Sequence, residues 1–152
     1  EPAVEFQKDN PYSVLKTQID VGRIQQVITN FVTNAVKYTH QGHIRLGYRV
    51  EKRASSLADV YGTEPVDGLY VYCEDTGAGI PKDKCEKVFE RFVKLNDFIQ
   101  GTGLGLSICK AIVEKCGGYI AVDSELEKGS TFWFWIPCRI DHADPPVSYP
   151  PQ

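Results

Sequence analysis

No apolar run in these 152 residues approaches the roughly 20 needed to span a bilayer, and no signal-peptide pattern opens the chain. The expectation is a cytoplasmic domain without direct membrane contact. An excess of one charge is also missing. Lys and Arg number 17 against 20 Asp and Glu, and the net charge of −3 comes without a basic stripe, which argues against a nucleic-acid partner. The five cysteines (Cys73, Cys85, Cys109, Cys116 and Cys138) are odd in number and never in C-x-x-C spacing. That argues against a disulfide framework or a zinc site and for reduced thiols. Two common nucleotide signatures are absent as well. There is no G-x-x-x-x-G-K-[ST] phosphate loop, and the glycines from Gly101 meet Leu106 where a dinucleotide fingerprint needs Gly or Ala. The chain does not begin with Met and reads as part of a longer protein.

What is present suffices for one domain: a hydrophobic content of 42% over 152 residues can fill a core unaided. Residues 4–7 and 13–18 alternate apolar and polar around Asn10-Pro11 and predict a hairpin of two half-buried strands. Asp20 suits the N-cap of a helix reaching about Thr39, with Val21, Ile24, Val27, Ile28, Phe31, Val32, Ala35 and Val36 on one face. Strands are predicted over 43–50 and 68–74, joined by a polar connection and the second ending at Asp75. A short helix is expected after Pro81, and another over 104–116, closed by Gly117-Gly118. Strands over 119–124 and 130–136 finish the domain, joined by a turn at Glu127-Lys-Gly129. In the last strand, Trp133 and Trp135 share one face while Phe132, Phe134 and Ile136 share the other, so that strand is central or covered. Residues 1–140 form the domain, and 141–152, with four prolines, read as a disordered tail. The elements lack a strict βαβ rhythm, which favours an α/β sandwich over a doubly wound sheet.

Three stretches carry chemistry. Gly101-Thr-Gly-Leu-Gly-Leu-Ser-Ile108 sets three glycines at alternate positions before a helix, whose free N–H groups and dipole favour a phosphate. On the first helix Asn30, Asn34 and Lys37 fall within a stripe of roughly 60° beside the apolar face. Two amide oxygens and an ammonium there can hold Mg²⁺ and a polyphosphate together. Asp75 ends a buried-looking strand before Thr76-Gly-Ala-Gly79, where a carboxylate can accept from an exocyclic amine and glycines let backbone approach a flat ring.

In order, Asn30-Phe-Val-Thr-Asn34-Ala-Val-Lys37-Tyr38, Asp75-Thr-Gly77-Ala-Gly79-Ile80, Phe89-Glu-Arg-Phe92 and Gly101-Thr102-Gly103-Leu104-Gly105-Leu106 resemble the N, G1, F and G2 boxes of sensor histidine kinases. The resemblance is to their catalytic ATP-binding domain and covers about residues 5–137. It implies a Bergerat-type α/β sandwich: a mixed, mostly antiparallel sheet packed on three helices, with an ATP lid. It implies Mg²⁺ at Asn34 and Asn30, phosphate charge neutralised by Lys37, and Tyr38 lining the same pocket. Asp75 would accept the adenine amino hydrogen, with Gly77, Gly79, Ile80 and Thr131 around the base. Gly101, Thr102, Gly103, Leu104, Gly105 and Leu106 would lie against the phosphates, and Lys94 would reach the γ-phosphate.

Position 30 separates two chemistries on this fold. The related ATPases of gyrase, mismatch-repair and heat-shock chaperone type resemble this helix but carry Glu there as the general base, whereas the Asn30 amide cannot take a proton from water. That implies slow hydrolysis and a nucleophile from elsewhere. His40, His43 and His142 read as surface or turn residues, so the expected phosphoacceptor histidine belongs to a separate dimerisation domain. The implied partners are that domain and a downstream response-regulator receiver domain, and the fragment alone is expected to be a monomer. The alternative is a non-catalytic nucleotide-binding or docking module. Phe89, Phe92, Phe98 and Ile99 flank the expected lid as candidate docking residues.

Overall fold

The computed structural model describes residues 4–11, 14–90 and 105–144. Its frame is a five-stranded sheet built from β1 (Val4–Asp9), β3 (Gly42–Val50), β4 (Gly68–Asp75), β6 (Gly129–Pro137) and β5 (Tyr119–Glu125), in that spatial order. Only the β1–β3 pair is parallel; the others are antiparallel. Two helices, α1 (Val21–Tyr38) and α3 (Gly105–Lys115), contribute the main helical side chains of the core. The expected mixed, mostly antiparallel sandwich is what forms.

Side-chain alternation divides the sheet. Cys73, Val71 and Leu69 of β4 and Phe132, Phe134 and Ile136 of β6 turn to the helices, where Phe31 of α1 meets the rings of Phe132 and Phe134 at 5.5 and 6.1 Å. The other face carries Tyr70 and Trp133, 5.5 Å apart, with the Arg53 guanidinium over the indole. Trp135 on that face is fully buried and donates from Nε1 to the Glu51 carbonyl at 2.7 Å. The apolar-on-both-faces pattern thus marks an interior strand, as its sequence predicted. Helix α1 starts where expected, with the Asp20 carboxylate accepting from the Arg23 amide at 3.3 Å. It buries Ile24, Val27, Phe31 and Ala35.

Four local expectations are corrected. The predicted N-terminal hairpin does not form: β1 pairs with β3, while β2 (Val14–Gln18) pairs with the last strand, β7 (Arg139–Asp144). Asp9 accepts from the Tyr72 hydroxyl at 2.6 Å, and Asn10 bonds the Tyr48 hydroxyl, so cross-sheet bonds hold the end of β1 on the main sheet while the chain beyond Asn10-Pro11 leaves it for β7. The domain boundary at 140 falls inside β7, because Arg139 to Asp144 find partners in β2; the segment expected as a tail is strand as far as Asp144. The polar connection contains a four-residue helix, α2 (Ala58–Tyr61), stapled down by Ser55 Oγ donating to the Gly117 carbonyl at 2.7 Å. After Pro81 there are two 3₁₀ turns, Lys82–Lys84 and Lys87–Phe89, in place of a helix. Among the described residues the helical layer is therefore two long helices and these turns.

Candidate functional site

The last residue of β4 is the anchor. Asp75 is 7% exposed, and its Oδ1 accepts from the Gly77 amide at 2.8 Å. Burial pushes its pKa up, opposed by the amides of Gly77 and Ser130 and by the Thr39 hydroxyl, all of which favour the carboxylate. The result is an acceptor held in place at the edge of the core.

The loop after Asp75 is pinned from two sides. A Cβ on Gly77 would sit 2.5 Å from the Tyr38 carbonyl oxygen, so the loop closes on the last residue of α1. Gly79, at φ +78°, closes likewise on the turn between β5 and β6, whose Glu127 amide donates to the Ala78 carbonyl at 2.7 Å. These glycines therefore serve close approach of protein backbone to protein backbone. Ile80 is 1% exposed and its amide donates to Ser124 Oγ at 2.7 Å. Its side chain walls the site from within the core.

The second cluster lies between the long helices. A Cβ on Gly105, the first residue of α3, would meet Asn30 Oδ1 at 2.8 Å, so this amide oxygen faces the opening turn of that helix. Its Nδ2 donates to the Gln26 carbonyl at 3.0 Å. Asn34, one turn on, is half-buried, and Lys37 in the last turn is exposed. Tyr38 packs against the core, as does Leu106, 1% exposed, which makes Leu106 a floor residue. Among the described residues no three His, Cys, Asp or Glu side chains gather as a metal cage. Asn30 Oδ1 is a hard donor beside the first residue of α3, and Asn34 carries a second amide oxygen one turn along α1. That set fits a cation such as Mg²⁺ that fills its shell with phosphate oxygens and water, and a fully protein-bound ion would need more ligands.

Two expectations diverge here. Thr131 does not stand beside the Asp75 side chain. It stands in register with Glu74 on the face away from the helices, one residue out of phase with Asp75. Ser130 is the register partner of Asp75, is 4% exposed, and is the residue the sequence reading missed. The alternation already read from Phe132, Phe134 and Ile136 points to Ser130 and away from Thr131. Lys94, Gly101, Thr102, Gly103 and Leu104, with Phe92, Phe98 and Ile99, lie outside the described residues. Phe89 is core, 7% exposed with its ring edge-on to Phe132 at 6.2 Å, so it is not a docking residue.

Compared with known proteins, residues 19–140 match the family described as Histidine kinase-, DNA gyrase B-, and HSP90-like ATPase. The sensor histidine kinase AruS of Pseudomonas aeruginosa is 40% identical over 132 residues, which is 82% of this chain and 12% of the relative. The sensor histidine kinase WalK of Bacillus subtilis is 36% identical over 149 residues, covering 95% of this chain and 22% of the relative. The chain thus spans about an eighth to a fifth of the length of these relatives. Among solved structures, full-length ShkA in complex with AMPPNP superposes with a TM-score of 0.72 at 29% identity, covering 90% of this chain and 26% of that one. The catalytic domain of histidine kinase ThkA gives 0.67 at 30%, covering 89% of this chain and 80% of that one. ThkA in complex with response regulator TrrA gives 0.63 at 30%, covering 88% and 34%. No described helix is long and apolar enough to cross a membrane. The chain belongs to the histidine kinase-, DNA gyrase B- and HSP90-like ATPase family, on the branch of the sensor-histidine-kinase catalytic domains.

Proposed function

We propose that this domain binds Mg-ATP between α1 and α3 and presents its γ-phosphoryl group to a histidine on a separate dimerisation domain, from which a receiver domain takes it. The observation that carries the reading is Asn30, whose amide Oδ1 faces the first turn of α3. A helix N-terminus offers free N–H groups and positive dipole to phosphate. The residue opposite it is an amide with no basic lone pair for water, so bound ATP is held without a general base. Bound Mg²⁺ would neutralise phosphate charge, with Asn34 and Asn30 as its protein ligands. Asp75 orients the base, Lys37 adds positive charge beside the phosphates, and Ile80 and Leu106 close the floor against water. Transfer to an imidazole nitrogen through a loose transition state asks the protein mainly for positioning and charge neutralisation.

Titration of the domain with ATP by calorimetry, with and without Mg²⁺, tests the pocket. Saturable binding strengthened by Mg²⁺, and loss of that gain in Asn34→Ala, is the expected result. An Asn34→Ala variant that keeps the full Mg²⁺ gain overturns the metal assignment. Supplying a phosphoacceptor domain in trans then tests transfer directly.

A further inference from the structure

Ser124 of β5 makes three polar contacts through one oxygen. Its Oγ accepts from the Ile80 amide at 2.7 Å, donates to the Gly129 carbonyl at 2.9 Å, and lies 2.8 Å from Ser130 Oγ. A serine hydroxyl has one proton and two lone pairs. The Gly129 carbonyl can only accept, so it takes the Ser124 proton. The Ile80 N–H occupies one lone pair. The contact with Ser130 then forms only if Ser130 donates its own proton into the remaining lone pair. Ser124 is saturated, and the Ser130 hydroxyl is a donor pointed at Ser124.

That assignment has a consequence for Asp75. Ser130 is its cross-strand partner on the helix-facing side of the sheet, both side chains are buried, and the Ser130 amide supports the Asp75 carboxylate. With its proton committed to Ser124, the Ser130 hydroxyl has only lone pairs left for a ligand. The two neighbouring side chains are then both acceptors.

We propose that Ser124, acting through Ser130, is a positioning residue that makes this site select a 6-amino purine over a 6-oxo purine. A 6-amino group brings protons to a pair of acceptors. A 6-oxo group brings its own lone pairs, and the Ser130 hydroxyl is not free to turn its proton toward them. The proposal rests on the reading of Asp75 as the base acceptor. It adds that Ser124, through Ser130, removes a hydroxyl proton that could rescue the wrong base.

The test is calorimetric binding of ATP and inosine triphosphate at pH 8 to the wild-type domain, Ser124→Ala, Ser124→Thr and the double variant Ser124→Ala/Ser130→Ala. The two nucleotides differ at the 6-position and in the N1 proton that follows from it. Wild type and Ser124→Thr are expected to favour ATP by about tenfold or more. Ser124→Ala frees the Ser130 proton, and the ratio falls by about threefold or more; removing Ser130 as well takes a partner from both nucleotides, so both bind more weakly and the ratio does not return to the wild-type value. A merely structural Ser124 would weaken both nucleotides equally. Equal weakening, or a ratio unchanged in Ser124→Ala, overturns the proposal. If Ser124→Ala fails to fold, Ser124→Cys carries the same comparison, since the thiol is of similar size and a poorer acceptor. Wild-type protein that binds neither nucleotide instead overturns the nucleotide site itself, an outcome distinct from ATP bound with a ratio indifferent to Ser124.

Discussion

Gly79 and the Glu125 carbonyl meet so closely that a Cβ on the glycine would lie 2.2 Å from that oxygen. The glycine also sits at φ +78°, where an L side chain is strained whatever the space. The contact locks the loop after Asp75 onto the β5–β6 turn, with Glu127 N–H to Ala78 O closing the other side. Gly79→Ala is expected to lower unfolding free energy by roughly 1–3 kcal/mol. Urea denaturation reads this as a lower midpoint with an unchanged slope. An unchanged midpoint would mean the loop has a second, unstrained seat.

How much of this was legible beforehand depends on the range of each interaction. Helix α1 was readable because its cap, period and buried set are local: Asp20, then Ile24, Val27, Phe31 and Ala35 at helical spacing. Asp75 was readable because it ends an apolar strand and precedes glycines. The fate of β1 was not, since Asn10-Pro11 is a genuine local turn signal. Pairing with β3 is decided by contacts 38 residues away, such as Arg45 Nε to Gln7 Oε1 at 2.8 Å. The strand at 139–144 hid behind the prolines after it and needed β2 as a partner to appear. Helix α2 is four residues long and buries none of them, so it leaves no periodic signature.

The choice between Ser130 and Thr131 gives the second prediction. One residue of phase sends a strand side chain to the opposite face. Ser130→Ala is expected to weaken ATP binding by about fivefold, the value of one modest hydrogen-bonding group near the base. Thr131→Val, on the far face in register with Glu74, is expected to leave it within error. Calorimetry on the two variants decides it. The reverse pattern would return Thr131 to the site.

The thiols give the third. None of the five cysteines is in a disulfide, and Cys73 and Cys109 are buried, with burial pushing each thiol up to about 12. Thiolate is the reacting species, so both are inert at neutral pH on grounds of access and ionisation together. Cys85, Cys116 and Cys138 are half-buried. Native protein at pH 8 should therefore release no more than three equivalents from a disulfide reagent, and five in guanidinium. Rapid release of a fourth equivalent from native protein would show that the core packing around Cys73 or Cys109 opens readily.

The last prediction turns on the charge of Asp75. Burial raises its pKa above the ordinary 3.8, so the folded state holds this proton more readily than the unfolded chain does. The associated stability is present below the unfolded value and lost as pH rises through the raised folded value. At neutral pH the buried carboxylate thus costs the nucleotide-free fold some stability. Asp75→Asn keeps an oxygen for the Gly77 amide and carries no charge. The variant is expected to be more stable than the parent at pH 7, with the advantage shrinking as pH is lowered toward the carboxylate range. Its ATP affinity should nevertheless fall by about tenfold or more, because the amide nitrogen replaces an acceptor where the adenine amino group needs one. Denaturation at pH 7 and at lower pH, paired with calorimetry at pH 7, separates the two effects. An Asn variant that is less stable at neutral pH would show that hydrogen bonds to the carboxylate outweigh its desolvation. One that is more stable and still binds ATP with full affinity would remove Asp75 from the base site.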